Sequence, residues 1–400
     1  MLRSDLLDAL FWFFAVLAIA AALGSVKRGR RFLEYVQERL AHPATNEVAE
    51  WPSTALIVPV KGSEPGLAEN LRSLASQDHP RHALVVVCAD ELDPALDVAR
   101  ATVGPTCRVV VAGKPPPGTG EKVHNLIAAV GAVGRSAEIL AFADSDGRVQ
   151  RDWLRKLTAP LLDGELGAAT GFRWHFPEEG GFWPLLRSVW DSSIVTIMGT
   201  DDKSFAWGGA MALRRETFES ADVLGHWRGA VSDDYRLADA VQGAGMGVRF
   251  VPEAMVETPG HCTGSEFLAW TVRQLTITRV YSFRRWVAGC VSHIVYCAAQ
   301  ALCLAQAALG NPFAGLGALL LVILPGMANG GMRAYVCALV FPQREDWLER
   351  NGWAYFWMTP IATWVWLYAF LRSGATKRIR WRGRIYELSS ESATREIRSS

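Results

Sequence analysis

Apolar positions along the chain fall into two patterns. Residues 6–26, LLDALFWFFAVLAIAAALGSV, are apolar almost without interruption, and about 20 such residues cross the hydrocarbon core of a bilayer. This predicts a transmembrane helix over 5–27, with Asp8 near enough to one end to reach the interface. The run is longer than a signal-peptide core, and no small-x-small cleavage site follows it. Between 51 and 262 the apolar residues come instead in short β-branched runs: ALIVPV (55–60), ALVVVC (83–88), RVVVA (108–112), EILAFA (138–143) and VRFVP (248–252). Runs of this kind suit strands buried on both faces. Helix-like segments alternate with them: GLAENLRSLASQ, DPALDVARAT, KVHNLIAAVGAV and DWLRKLTAPLL. The alternation predicts an α/β domain with a mostly parallel sheet. In such sheets ligands gather beyond the carboxyl ends of the strands.

Residues 263–285 mix apolar and basic side chains at helical spacing, including Trp270, Arg273, Arg279, Arg284 and Arg285. That pattern predicts an amphipathic helix lying on a membrane surface. Three apolar stretches follow, at 286–310, 313–341 and 353–372. The first and last read as spans. The middle one is interrupted by Pro325, Gly326, Gly330, Gly331 and Arg333, and reads as re-entrant or as a short broken hairpin. The expected order is thus an N-terminal span (5–27), a juxtamembrane linker (28–50), a catalytic domain (51–262), the interfacial helix (263–285), a C-terminal transmembrane region (286–373) and a basic tail (374–400).

Charge sharpens this picture. With 41 Lys plus Arg against 40 Asp plus Glu, the net charge is +1, which gives no global reason to expect a nucleic-acid partner. Basic residues cluster at Lys27–Arg31, Arg273–Arg285 and Lys377–Arg384, each beside an apolar run. Cytoplasmic flanks carry such excess. The pattern therefore predicts an integral membrane protein with its catalytic domain and tail in the cytoplasm, at a bacterial inner membrane or at the ER or Golgi of a eukaryote. The 16 tryptophans suit interfacial anchoring. Seven cysteines at irregular spacing, without a CxxC pair, predict neither a disulfide framework nor a zinc site.

Asp144-Ser145-Asp146 directly follows EILAFA. Two carboxylates at i and i+2 past a strand end can share a crevice, and Mg2+ or Mn2+ commonly bridges one or two carboxylates to substrate phosphates. Loop aspartates also close turns and cap helices; it is the buried strand before them that favours the metal reading. Ser232-Asp233-Asp234-Tyr235 opens the helix-like RLADAVQGAG. Its plain reading is an N-cap with an acidic first turn. Its catalytic reading makes Asp234 a general base, adjacent carboxylates raising the proton affinity of one of the two. Lys61-Gly62 and Asp90 follow strand runs on the same side as Asp144, and with Lys122 they are candidates to meet a nucleotide. Trp207-Gly208-Gly209 allows close backbone approach to a ligand, or an ordinary tight turn.

Together these motifs resemble ceramide glucosyltransferases, inverting family-2 glycosyltransferases of the GT-A (Rossmann-like) fold, collinearly from about 51 to 285. IVPVKGSEPGLAENLRSLASQDHP resembles the family's nucleotide-binding opening, and VVCADELDPALDVA the segment that carries a donor-binding role to Asp90. GEKVHNL resembles a Pro-Lys-x-x-Asn-Leu segment, which implies Lys122 and Asn125 near the nucleotide. FADSDGRV is similar to the metal-binding segment, implying Asp144 and Asp146. WGGAMALRRETF is similar to an acceptor-side loop, and SDDYRLA to the segment whose second acid, here Asp234, is the base. RWRGRIY resembles a basic segment that follows the last span. Animal members carry (Gln/Arg)-x-x-Arg-Trp after the base. Here Trp270-Thr271-Val272-Arg273-Gln274 keeps only the arginine, closer to plant-type and some bacterial relatives and unlike processive synthases. The resemblance implies a UDP-sugar donor, a divalent cation, and Arg273 offsetting diphosphate charge. It implies a hexose, glucose favoured, passing to the primary hydroxyl of a ceramide-like membrane lipid. A hopanoid-type or diacylglycerol acceptor is an alternative. So is a non-catalytic scaffold, which predicts the loss of one acidic position; none is lost.

Overall fold

The computed structural model describes residues 2–48, 50–104, 107–391 and 393–399. The chain opens with α1 (Leu2–Ala41), then β1 (Thr54–Pro59), α2 (Leu67–Ala75), β2 (His82–Cys88), α3 (Pro94–Val103), β3 (Arg108–Val111), α4 (Glu121–Val133), β4 (Ile139–Ala143) and α5 (Trp153–Thr158). Next come β5 (Leu166–Thr170), β6 (Arg173–Phe176), α6 (Phe182–Val195), β7 (Ala210–Arg214), α7 (Arg215–Ser220), α8 (Val223–Trp227), α9 (Asp233–Gly243), β8 (Gly247–Phe250) and β9 (Val256–Pro259). Helices α10 (Gly264–Tyr281), α11 (Phe283–Leu309), α12 (Pro312–Val340), α13 (Glu345–Asn351), α14 (Trp353–Trp357) and α15 (Thr359–Gly374) follow. Strands β10 (Arg378–Trp381), β11 (Arg384–Ser390) and β12 (Ala393–Ser399) come last. These elements form two compact units.

One unit comprises Glu38–Glu178, Ile197–Gly260 and Lys377–Ser400. Its seven-stranded sheet runs β3-β2-β1-β4-β7-β5-β8. Every neighbouring pair is parallel except those of β7, which is antiparallel to both β4 and β5. The five apolar runs of the sequence are β1 to β4 and β8, and Leu56, Ile57, Val86, Val87, Leu140 and Phe142 are fully buried. Ile57, Val85, Phe142 and Met211 form one core with Leu126 and Val130 of α4, Trp227 of α8 and Leu237 of α9. Strands β5 (LGAAT), β6 (RWHF) and β7 (AMALR) carry small or polar residues and so lack the run that marks the others. Strand β7 sets up the site. Its Ala210 pairs with Ala143, so residues just before β7 lie beside residues just after β4.

The sequence suggested only a basic tail at 374–400. Instead, β10, β11 and β12 make an antiparallel three-stranded sheet that belongs to this unit. The tail alternates along the chain: Ile379, Tyr386 and Leu388 are buried while the residues between them are more open. That is the period-2 pattern of a half-covered strand.

The other unit comprises Met1–Gln37, Glu179–Thr196 and His261–Thr376. Among the described residues three helices are long and apolar enough to cross a membrane: Asp5–Ala41, Phe283–Leu309 and Pro312–Val340. The middle stretch, expected to be broken, is one continuous helix of 29 residues with Pro325 inside it. Its glycines serve packing rather than interruption. A Cβ on Gly330 would sit 1.9 Å from Tyr355 O, and one on Gly315 would sit 2.6 Å from Cys303 O. Small residues let helix backbones approach where lipid supplies no hydrophobic drive. The stretch at 353–372, expected to span, is split at Met358 into α14 and α15. The 16 residues of α15 rise about 24 Å at ~1.5 Å each, short of a ~30 Å core.

Asp8 is exposed and accepts a hydrogen bond from Gln306 Nε2, near the end of α11, at 2.8 Å. Helix α6 falls inside 51–262 by sequence, yet it belongs to this helical unit. Ser188 Oγ and Tyr355 OH lie 2.7 Å apart, Trp366 Nε1 donates to Ser193 Oγ at 3.1 Å, and Trp190 stacks on Trp366 at 3.9 Å. A capping box of Thr263 and Glu266 starts α10. The chain breaks at Ser282, so α11 starts at Phe283, a little before the expected 286.

Candidate active site

Three segments far apart in sequence meet beyond the carboxyl end of β4. Asp144 is the first residue out of that buried strand. Asn70 Nδ2 donates to Ser145 O at 3.1 Å and fixes the Asp-Ser-Asp turn to α2. Lys122 sits in the first turn of α4, whose start is tied to the segment before α9 by a hydrogen bond from Gly120 N to Ala230 O at 2.9 Å. Ser232 caps α9, accepting from Tyr235 N at 3.3 Å, so Asp233 and Asp234 occupy its first turn.

Lys122 is the hub. Its Nζ lies 2.8 Å from Asp144 Oδ1 and 3.1 Å from Asp233 Oδ2, and it donates to Gly208 O at 3.5 Å. Gly208 is a glycine for a packing reason. A Cβ there would fall 2.4 Å from Asp233 Oδ2 and 2.8 Å from Lys122 Nζ. Its amide donates to Asp234 Oδ2 at 3.2 Å. Asp234 Oδ1 accepts from Tyr235 N at 2.8 Å and from Ser232 Oγ.

The two adjacent acids differ. Asp233 is 2 % exposed. Burial pushes its carboxyl up to about 7, with Lys122 opposing and the Asp234 and Asp144 charges adding to the rise. Asp234 is only partly buried. The raised proton affinity expected of one of the pair is found at Asp233, the acid sealed from water. At Asp144 burial also raises the proton affinity. There the Lys122 charge and hydrogen bond, helped by Arg173 and Arg382, win and hold the carboxyl below its usual range. For Lys122, burial favours the neutral amine, but the Asp144, Asp233 and Asp234 charges outweigh it and keep the ammonium.

The remaining candidates divide. Asp146 is half-buried, and its Oδ1 has no hydrogen-bond partner among the described residues. Asn125, one turn along α4 from Lys122, is buried with its Oδ1 likewise unpartnered among those residues. Lys61 pairs with Glu121 Oε1 at 2.8 Å, and Gly62 N donates to Asp93 Oδ1 at 2.8 Å. Trp207 is buried; it donates from its backbone to Thr170 Oγ1 at 2.9 Å and lies under the Arg173 guanidinium at 4.9 Å. Gly209 packs beneath the Trp207 ring. Asp90 is not drawn into the Lys122 cluster. It is exposed, and its Oδ1 closes a turn by accepting from Leu92 N at 3.0 Å. Trp270 and Arg273 stand on α10 in the helical unit, where Trp270 packs edge-on against Trp190 at 5.3 Å.

The motifs single out none of Glu64, Asp93, Glu121, Arg173, Arg382 and Arg384, although all but Arg173 lie inside segments that carry the family resemblance. Among the described residues no three His, Cys, Asp or Glu side chains converge as a ready-made metal shell.

A family model described as "Glycosyl transferase family 21" matches residues 10–394, nearly the whole chain. The chain belongs to that family. It is a sugar-nucleotide-dependent glycosyltransferase. The resemblance to ceramide glucosyltransferases read from the motifs falls under family 21 rather than family 2. Among solved structures, a mannosyltransferase from Pyrobaculum calidifontis, in complex with GDP-Man and Mn2+, matches at 19 % identity with a TM-score of 0.52. The match covers 84 % of this chain and 99 % of that one, and it shows the GT-A-type fold. The glucosyl-3-phosphoglycerate synthase from Mycobacterium tuberculosis matches at 16 % identity and a TM-score of 0.39, over 60 % of this family 21 chain and 82 % of its own.

Proposed function

We propose that this glycosyltransferase moves a hexose, glucose favoured, from a UDP-sugar to the primary hydroxyl of a ceramide-like membrane lipid, inverting the anomeric centre. The observation that carries the reading is the junction of Lys122, Asp144, Asp233 and Asp234 around Gly208. It gathers the Lys122 ammonium, the Asp144 and Asp233 carboxylates and a candidate base, Asp234, at the strand ends, where α/β sheets bind ligands. Asp234 is the more open of the adjacent acids, and three donors orient its carboxylate. It takes the proton of the acceptor hydroxyl. The hydroxyl oxygen bonds to the anomeric carbon as the bond to the diphosphate breaks on the opposite side, and UDP leaves. Asp233 stays buried and holds Lys122 in place, and Lys122 sets its charge beside Asp144.

Asp144 and Asp146 would hold Mg2+ or Mn2+. The unpartnered Asp146 Oδ1 and the readily ionised Asp144 fit a hard cation that uses few protein ligands and completes its shell with phosphate and water. Held there, it would supply positive charge against the leaving diphosphate. The archaeal mannosyltransferase, solved with GDP-Man and Mn2+, supports this reading. The three long apolar helices support a lipid acceptor, and the basic clusters beside the apolar runs support a cytoplasm-facing catalytic domain. Lys61, Gly62, Lys122 and Asn125 are proposed on the donor side, with Asp90 kept there on its motif alone. Trp207, Gly208 and Gly209 are proposed on the acceptor side. Trp270 and Arg273 enter through the motif resemblance alone.

Asp234→Asn tests the base. Transfer to lipid should fall by at least ~100-fold, in keeping with a lost general base, while UDP-sugar binding is retained. Undiminished transfer would remove Asp234 from this role. Mass spectrometry of lipids from cells with and without the chain identifies the sugar and the acceptor.

A further inference from the structure

The C-terminal sheet is built into the catalytic unit by charged and polar contacts. Glu121 N donates to Tyr386 OH at 3.4 Å, and the Glu121 carboxylate holds both Lys61, at 2.8 Å, and Arg384. Arg236 reaches Glu391 at 3.2 Å. Strands β10 and β11 are joined by a two-residue turn, Arg382-Gly383, with φ of 49° and 79°. Both values are left-handed, the geometry of a hairpin turn that favours Asn, Asp or Gly. An arginine here pays conformationally for its position. What it gains is reach: Arg382 pairs with Glu64, on the loop between β1 and α2.

That contact lies next to the acidic junction. Strands β1 and β4 pair in parallel with Ile57 opposite Phe142, so the loop after β1 that bears Glu64 runs beside the turn after β4 that bears Asp144 and Asp146, and the Arg382 charge acts on Asp144. Glu64 is itself two-thirds covered, and its Oε2 has no hydrogen-bond partner among the described residues. The loop that bears it also bears Lys61 and Gly62. So a guanidinium, whose planar fork matches a phosphate better than an ammonium does, stands at the tip of a clamped hairpin near the Asp144–Asp146 turn.

We propose that Arg382 is a donor-diphosphate ligand which Glu64 holds in readiness. When the donor arrives, Arg382 exchanges the Glu64 carboxylate for diphosphate oxygens, and the C-terminal hairpin forms one wall of the donor site. This rests on the glycosyltransferase reading above.

The test measures nucleotide binding by full-length protein in detergent with Mn2+, using UDP as the probe and uridine as the phosphate-free control, read by ligand-observed NMR. Arg382→Ala should weaken UDP binding at least tenfold and leave uridine within twofold. Arg382→Lys should recover part of the loss. Glu64→Gln, which frees the arginine, should leave UDP binding unchanged or up to severalfold tighter. The proposal is overturned if Arg382→Ala binds UDP as wild type does. It is equally overturned if UDP and uridine weaken together, because the hairpin would then be only a structural clasp. Asp144→Ala separates the two ideas. If it loses UDP while Arg382→Ala does not, this inference fails and the glycosyltransferase reading stands. If wild type binds no UDP with Mn2+, both fail.

Discussion

Gly208→Ala probes the site where it is tightest. The added Cβ would lie 2.4 Å from Asp233 Oδ2 and 2.8 Å from Lys122 Nζ, whereas ordinary contact starts at 3.4 Å. The carboxylate must therefore retreat by about 1 Å and the ammonium by about 0.6 Å. Lys122 is flexible enough to swing. Asp233 is not: it is 2 % exposed, and Trp227 Nε1 pins the backbone of its turn by donating to Asp233 O at 2.8 Å. Overpacking of this kind costs about 1–3 kcal/mol. A displacement near 1 Å among catalytic groups costs on the order of 100-fold in rate. The matching control is Gly131→Ala in the last turn of α4, where nothing lies within 4 Å of the new Cβ. There the helix should gain at most the ~1 kcal/mol of an interior position. Both variants are compared with wild type by melting in detergent and by UDP release from UDP-hexoses with a total lipid extract. The expected pattern is a lower Tm and about 100-fold slower turnover for Gly208→Ala, against a slightly raised Tm and normal turnover for Gly131→Ala. Wild-type turnover in Gly208→Ala would refute the claim that this contact sets catalytic geometry.

Three other outcomes follow from the same structure. Asp144→Ala should abolish the enhancement of UDP-sugar binding by Mg2+ or Mn2+ and leave the Lys122 ammonium with Asp233 alone; an unchanged metal titration would remove Asp144 as a ligand. His79 is 2 % exposed, and burial, with the His82 and Arg155 charges, lowers its pKa to about 4 from 6.5. Its share of stability is complete above pH 6.5 and is lost as pH falls towards 4, on the order of 3 kcal/mol. His79→Gln should therefore flatten the acid side of the Tm–pH curve, and parallel curves would contradict this. Gly330→Ala drives a Cβ to 1.9 Å from a backbone carbonyl, which cannot rotate away. It should cost about 3 kcal/mol or more by helix separation, seen as a lower Tm in detergent with UDP binding per folded molecule unchanged.

The chain itself determined the elements whose cause is local. A stretch of about twenty almost wholly apolar residues must leave water, and short β-branched runs make strands wherever both faces can be covered; α1 and strands β1 to β4 and β8 were legible for that reason. Asp144 and Asp146 were legible because they end such a run. Composition is silent about which distant segment covers a given face. Helix α6 reads as part of the catalytic domain and packs with the helical unit. Pro325 and the glycines of α12 read as breaks, yet they sit in a continuous helix whose glycines admit a neighbouring backbone. Strand β7 lacks a strong run, yet its antiparallel pairing sets the segment before it beside the end of β4 and Gly208 against Lys122 and Asp233. The basic C-terminal residues read as a membrane flank, while Arg382 and Arg384 find Glu64 and Glu121 some three hundred residues back along the chain. A charge pair across that separation leaves no periodic trace, because its partner is chosen by the sheet order and not by its neighbours in sequence.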